Sequence, residues 1–147
     1  QMCIRDSFEV AFFWGIGGGI NALITPDIPN SFPDPQYILF FFGHGLLIIA
    51  IAYACISLAN RPTFNSVKNG IYFSLITLPV IYSINKILGP PANYWYLGSK
   101  PVGDSILNLF PAPPLHIPVL IIIGVILFFL IYSPYWVYDS FKKQDVQ

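Results

Sequence analysis

The sequence predicts an all-α fold, a polytopic transmembrane helical bundle with about four spans in this stretch of chain. Three observations predict it. Hydrophobic residues make up 55% of the 147 positions and charged residues only 10%. The apolar residues fall in four runs of near-spanning length. Short segments rich in Pro and Gly separate those runs. A soluble domain carries about a quarter charged residues, because its surface must be covered by them. The 7 basic and 7 acidic groups here are too few for that, but enough to sit at the ends of helices buried in lipid. A formal net charge of zero also lacks the basic face that a nucleic-acid partner requires.

A membrane-spanning helix needs about 20 mostly apolar residues, each rising roughly 1.5 Å through a hydrocarbon core of about 30 Å. The first span is expected from Phe8 to Ile24, with Glu9 at its start. The second runs from Tyr37 to Leu58 and holds His44. The third runs from Gly70 to Leu88, with Lys86 near its end. The fourth runs from Ile117 to Tyr135 and is the most uniformly apolar. All four are apolar around the whole wheel, as lipid-buried helices are.

The first connection, Thr25 to Gln36, holds four prolines and two aspartates. The second, Ala59 to Asn69, holds Arg61 and Lys68. The long third connection, Gly89 to His116, holds six prolines and the aromatic run Asn93-Tyr94-Trp95-Tyr96. Ser105 to Phe110 is apolar but too short to span, which fits an interfacial or re-entrant turn. No internal repeat is visible, so residues 8–138 read as one transmembrane domain with a tail at 139–147. Residues 1–7 resemble a translated adapter run and are expected to be non-native. Native helices before Phe8 are then expected to be missing, and Cys3 and Arg5 carry no weight. Cys55, alone among Ile, Ala and Leu in the second span, reads as a packing residue.

Lys and Arg counts set the expected orientation. Arg61, Lys68, Lys142 and Lys143 lie at one end, and Lys100 with the helix-end Lys86 at the other. The positive-inside bias therefore places the Arg61 loop and the C-terminus in the cytoplasm of a multi-pass cell-membrane protein. Trp95 with Tyr94 and Tyr96, and Trp136 with Tyr135 and Tyr138, fit aromatic belts at the two interfaces.

Polar groups inside a bilayer are costly, so each needs a reason. Asn21, His44 and Asn85 lie within roughly two helical turns of one depth on three antiparallel spans. The loops at that end add Asp27, Asn93, Tyr94, Tyr96 and Lys100, whereas the other half of the bundle reads plainer. An outward-facing polar pocket lined by Asn21, His44 and Asn85 is the expectation, with Asp27, Lys86, Asn93, Tyr96 and Lys100 as further binding candidates. His44 is flanked by Gly43 and Gly45, which clear space beside the imidazole. It reads either as a general base at the mouth of a cavity or as a neutral histidine bonded between helices. Asn21 suits capping or helix bridging, Asp27 a turn after Pro26, and Lys86 snorkelling to the interface. His116 opens the fourth span beside Pro118, where it is expected to be exposed. Gly15-x-x-x-Gly19 has the spacing of close helix packing, and Ile20 breaks any dinucleotide fingerprint. Two separated histidines without paired carboxylates do not suggest a metal, and no cofactor motif is present.

Several segments carry a resemblance. They are Trp14 to Asp27, Phe42-Gly-His-Gly45, Arg61-Pro-Thr63, Asn93-Tyr-Trp-Tyr-Leu97, Lys100-Pro101 and Ser105-Ile-Leu-Asn108. Together they resemble the YwaF-like integral membrane proteins of bacteria over most of Phe8 to Tyr138. Pro111 to His116 departs from the more aromatic Pro-Trp pattern of that family. The resemblance implies a larger helical bundle whose upstream helices carry a Leu-Pro-Leu-His-Leu-Cys type segment. It also implies a distant similarity to a eukaryotic transmembrane family implicated in acyl transfer to ether phospholipids. On that likeness the chain would be a lipid acyltransferase or hydrolase, with His44 as base, Asn21 and Asn85 as positioners, and the nucleophile upstream. The partners would be the bilayer and a lipid substrate. A small-solute carrier or membrane assembly partner is the other reading. A carrier needs a polar path through the Arg61 half, which the sequence shows little of.

Overall fold

The computed structural model describes residues 2–58, 60–100 and 106–144. Four helices carry the fold: α1 (Met2–Ile24), α2 (Pro35–Ile56), α3 (Phe64–Leu88) and α4 (His116–Gln144). Two short 3-10 turns, Tyr94–Tyr96 and Ile106–Leu109, lie between α3 and α4, and no strand occurs among the described residues. Each α-helix contains a stretch long and apolar enough to cross a membrane: Ser7–Ile24, Pro35–Ile56, Phe64–Leu88 and His116–Lys142.

The helix ends differ from the hydropathy limits because capping, not apolarity, decides where a helix starts. α3 begins at Phe64 rather than Gly70. Thr63 and Ser66 form a capping box there, the Ser66 hydroxyl accepting from the Thr63 N–H at 2.9 Å. The polar residues Asn65, Lys68 and Asn69 mask this turn from a hydropathy reading. α2 begins at Pro35 behind Asp34, whose carboxylate accepts the Gln36 N–H at 2.7 Å. α4 continues beyond Tyr135 through Asp139 to Gln144. Among the expected features, Gln1, Ala59, Pro101, Ser105 and residues 145–147 lie outside the described residues.

α1 is the central helix, and α2, α3 and α4 all pack on it. Its glycines make this possible by facing different neighbours. A methyl group on Gly15 would collide with the Ile51 side chain of α2, and one on Gly19 would sit 3.4 Å from Ile48. One on Gly17 would meet Leu127 of α4 at 3.1 Å. The Gly15-x-x-x-Gly19 spacing is thus a close-packing face, as helix association in lipid requires. Phe13 is fully buried and its ring lies 4.9 Å from that of Phe128. Phe12, Val67, Ile51 and Tyr132 complete the core. α2 packs chiefly on α1, and its far side, including Leu39, Phe42, Ile49 and Ile56, is exposed. That face is apolar, as a lipid-facing side is.

Candidate functional site: the loop hollow at the Asp27 end

Polar side chains at the Asp27 end build one loop. Asn85, near the end of α3 and 6% exposed, bonds the backbone of Tyr94 twice: its amide donates to the Tyr94 carbonyl and its oxygen accepts the Tyr94 N–H, both at 2.9 Å. The Asn93 side-chain oxygen accepts the N–H groups of Gly98 and Ser99, each at 3.0 Å, and its amide donates to the Ser99 carbonyl. His116, at the start of α4, lies 2.7 Å from the Tyr96 carbonyl through Nε2. Against a carbonyl oxygen that nitrogen must carry the proton. Nδ1 is buried and has no hydrogen-bond partner among the described residues. The Lys100 ammonium donates to the Phe110 carbonyl.

These bonds hold a strained backbone. Trp95 and Tyr96 sit at φ 56° and 54°, in the left-handed region. That region costs an L-residue roughly 1–2 kcal/mol. Such a pair persists only where its surroundings over-determine it. The Trp95 ring meets the Trp14 ring of α1 edge-on at 4.8 Å, and Trp14 donates from its indole to Ser74 of α3 at 2.9 Å. The aromatic loop therefore turns back into the bundle instead of lying only along an interface.

The result is a hollow of ≈ 720 Å³ that brings together Asp27, Asn93, Tyr96 and Lys100, with the Tyr94 and Trp95 rings beside them. The Tyr96 hydroxyl donates to the Asp27 carboxylate at 3.2 Å. Burial, then the charge of Asp27, then this hydrogen bond all push the Tyr96 phenol above its ordinary range. Asn85 and Lys86 line a smaller neighbouring hollow with Asn93 and Tyr82. The Lys86 ammonium lies 5.4 Å from the Tyr82 ring.

His44 and Asn21 line neither of these two hollows. Asn85 is buried and bonds the backbone of Tyr94, while Asn21 is exposed on α1. Thr25 bonds the backbone carbonyl of Asn21. His44 lies on the α2 stripe that continues Ile51 and Ile48 towards α1. The contacts Gly15–Ile51 and Gly19–Ile48 set an antiparallel register that brings Asn21 level with Gly45 and Leu46, beside His44. The His44 bond is not between helices: Nδ1 donates to the Phe40 carbonyl of its own helix at 2.8 Å, and the two rings lie 4.3 Å apart. Gly43 and Gly45 have open space where a side chain would be. His116 is corrected from exposed to fully buried, because the re-entering loop covers it.

The Arg61 end is also more polar than its sequence implied. Glu9 is 4% exposed and accepts from Ser66 at 2.6 Å and Asn69 at 2.9 Å. Arg61 pairs with Asp139 at 2.7 Å and lies over the Tyr135 and Tyr138 rings. Glu9 was the signal available for the first cluster, as the one acid inside an expected span. Nothing in the sequence points from His116 to a carbonyl 20 residues away.

Three apolar helices packed on a fourth, the central glycine-rich α1, with a built loop closing one end, define a multi-pass membrane protein. The TMEM164 family model matches residues 2–132, and the chain belongs to that family. Comparison with curated proteins and with solved structures finds no match.

Proposed function

We propose that the working face of this membrane protein is the loop hollow, turned outward, with the Arg61 loop and the C-terminus in the cytoplasm. The observation that carries this is the convergence of Asp27 with Tyr96 and Lys100, from two loops 69 residues apart at the first pair, around a backbone held by Asn85, Asn93 and His116. The cation count supports the direction: Arg61, Lys68, Lys142 and Lys143 at one end outnumber Lys86 and Lys100 at the other. Within its family we place the chain with bacterial, YwaF-like members, on the segments that carry that resemblance. Impermeant thiol labelling of intact cells tests the orientation, using Asn65→Cys and Ser99→Cys in a background without native cysteines. Position 99 should react and position 65 should not. The reverse pattern would overturn the proposal.

A second reading, a lipid acyltransferase or hydrolase, is favoured by the state of His44. Its Nδ1–H is pinned to Phe40, which leaves the Nε2 lone pair without a partner among the described residues. A histidine whose Nδ1–H is fixed by a backbone carbonyl presents Nε2 as the proton-accepting atom, the arrangement a general base requires. Gly43 and Gly45 leave room for a substrate beside it. The nucleophile in this reading comes from residues other than those described. His44→Gln and His44→Ala should both abolish lipid turnover in cells with little change in thermal stability, because the bond lost is local to one helix. A glutamine variant with a normal lipid profile would rule out the base.

A further inference from the structure

Much of the aromatic loop's backbone is already bonded within the protein. Asn85 occupies both polar groups of Tyr94, His116 occupies the Tyr96 carbonyl, and Asn93 occupies the N–H groups of Gly98 and Ser99. The hollow is lined by the aromatic residues Tyr94, Trp95 and Tyr96 together with Asp27 and Lys100. Asp27 accepts a single hydrogen bond among the described residues, from the Tyr96 hydroxyl at 3.2 Å. That is long for an O–H···O bond, and a carboxylate has room for several donors. The Lys100 ammonium donates to the Phe110 carbonyl.

Aromatic faces beside a carboxylate attract a weakly hydrated organic cation, because the ring quadrupole and the full negative charge act together. A small inorganic cation would instead need several oxygen ligands, and the hollow offers one carboxylate. We infer that the loop hollow is a binding site for a substituted ammonium group, seated between Asp27 and the rings of Trp95 and Tyr96. The cation belongs either to a zwitterionic lipid headgroup or to a free solute. This inference rests on the proposed working face and adds the chemistry of what that face binds.

The test uses the full chain purified in a maltoside detergent, which carries no ammonium group. Tryptophan fluorescence is titrated with choline and with its neutral isostere, 3,3-dimethylbutanol. Choline should saturate the signal and bind at least about tenfold more tightly, a difference of about 1.4 kcal/mol. Asp27→Asn should weaken choline by a similar factor and leave the neutral compound unchanged. Equal binding of the two compounds to the wild-type chain would overturn the inference whether or not the variant folds. So would an Asp27→Asn protein that keeps its wild-type unfolding midpoint and its wild-type choline affinity. Phosphocholine against short-chain phosphatidylcholine then separates the sources. A strong preference for the lipid assigns a headgroup, and equal affinity assigns a solute. Labelling of Ser99→Cys from the cytoplasmic side would defeat the outward orientation alone, since choline binding in detergent is independent of sidedness.

Discussion

At the Asp27 end, Asn85, Asn93 and His116 direct their hydrogen bonds at the backbone of one loop. At the Arg61 end, Glu9 of α1 bonds side chain to side chain with Ser66 and Asn69 of α3, and Arg61 of the loop before α3 pairs with Asp139 of α4. The first arrangement sets the conformation of a loop, including two residues with positive φ. The second sets how α1, α3 and α4 stand against one another. Damage at the two ends should therefore differ in kind as well as in size. Losing a backbone-directed amide should release the loop while the bundle stays assembled. Losing an interhelical pair should loosen helix contacts and leave the loop intact.

The largest effect is expected from Asn85→Leu. It leaves the Tyr94 N–H without its partner and the Tyr94 carbonyl with only the 3.4 Å bond from the Leu97 N–H. An unsatisfied buried N–H costs about 1–3 kcal/mol, and the second bond is lost with it, so a loss of about 2–3 kcal/mol is expected. Trp95 should also lose its contact with Trp14, so acrylamide should quench tryptophan fluorescence more strongly than in the wild type. An unchanged unfolding temperature and unchanged quenching would mean that the loop holds itself, and the contrast between the two ends would collapse.

Glu9→Leu should rank next. It removes the acceptor of Ser66 and Asn69, but the Ser66 hydroxyl lies 3.0 Å from Thr63 Oγ1 and Asn69 is exposed, which holds the cost to about 1–2 kcal/mol. Asp139→Asn should cost less than about 1 kcal/mol, since the Arg61–Asp139 side chains are 40% and 45% exposed and such pairs are screened by solvent. Thermal unfolding of the two variants, with loop quenching at wild-type levels in both, would sharpen the comparison. If Asp139→Asn matched Glu9→Leu, burial would not be what separates the two contacts.

The number and type of the helices were legible because apolar run length follows directly from bilayer thickness. The close face of α1 was legible in Gly15 and Gly19. The end of the molecule that gathers Asp27, Asn93, Tyr96 and Lys100 was legible as a local excess of polar and aromatic residues. The roles of single residues were not. An asparagine that reads the backbone of a loop, as Asn85 does, has the same sequence signature as one that faces a pocket. The starts of α2 and α3 depended on Asp34 and on the Thr63–Ser66 box, which hydropathy does not weigh. His116 was misplaced because its burial comes from a loop that folds back, a tertiary event with no local pattern.

The smallest effect isolates the hydrogen bond between Tyr96 and Asp27, which joins the two loops. Tyr96 donates to Asp27, so ionising the phenol would remove that bond and set two negative charges side by side. Its pKa is raised above the ordinary value of about 10, by burial first and then by Asp27. A raised phenol pKa contributes stability that is fully present below the unfolded value and is lost as pH rises through the folded one. Asp27→Asn removes the charge but not the burial. The Tyr96 titration should therefore move down in pH without returning all the way to that of a free tyrosine. Carbon-13 labelling of tyrosine rings, with Tyr96→Phe to assign the resonance, follows this group among the 9 tyrosines. The same titration curve in wild type and Asp27→Asn would show that the carboxylate does not face the phenol. The loops would then lack the side-chain contact that closes the hollow between them.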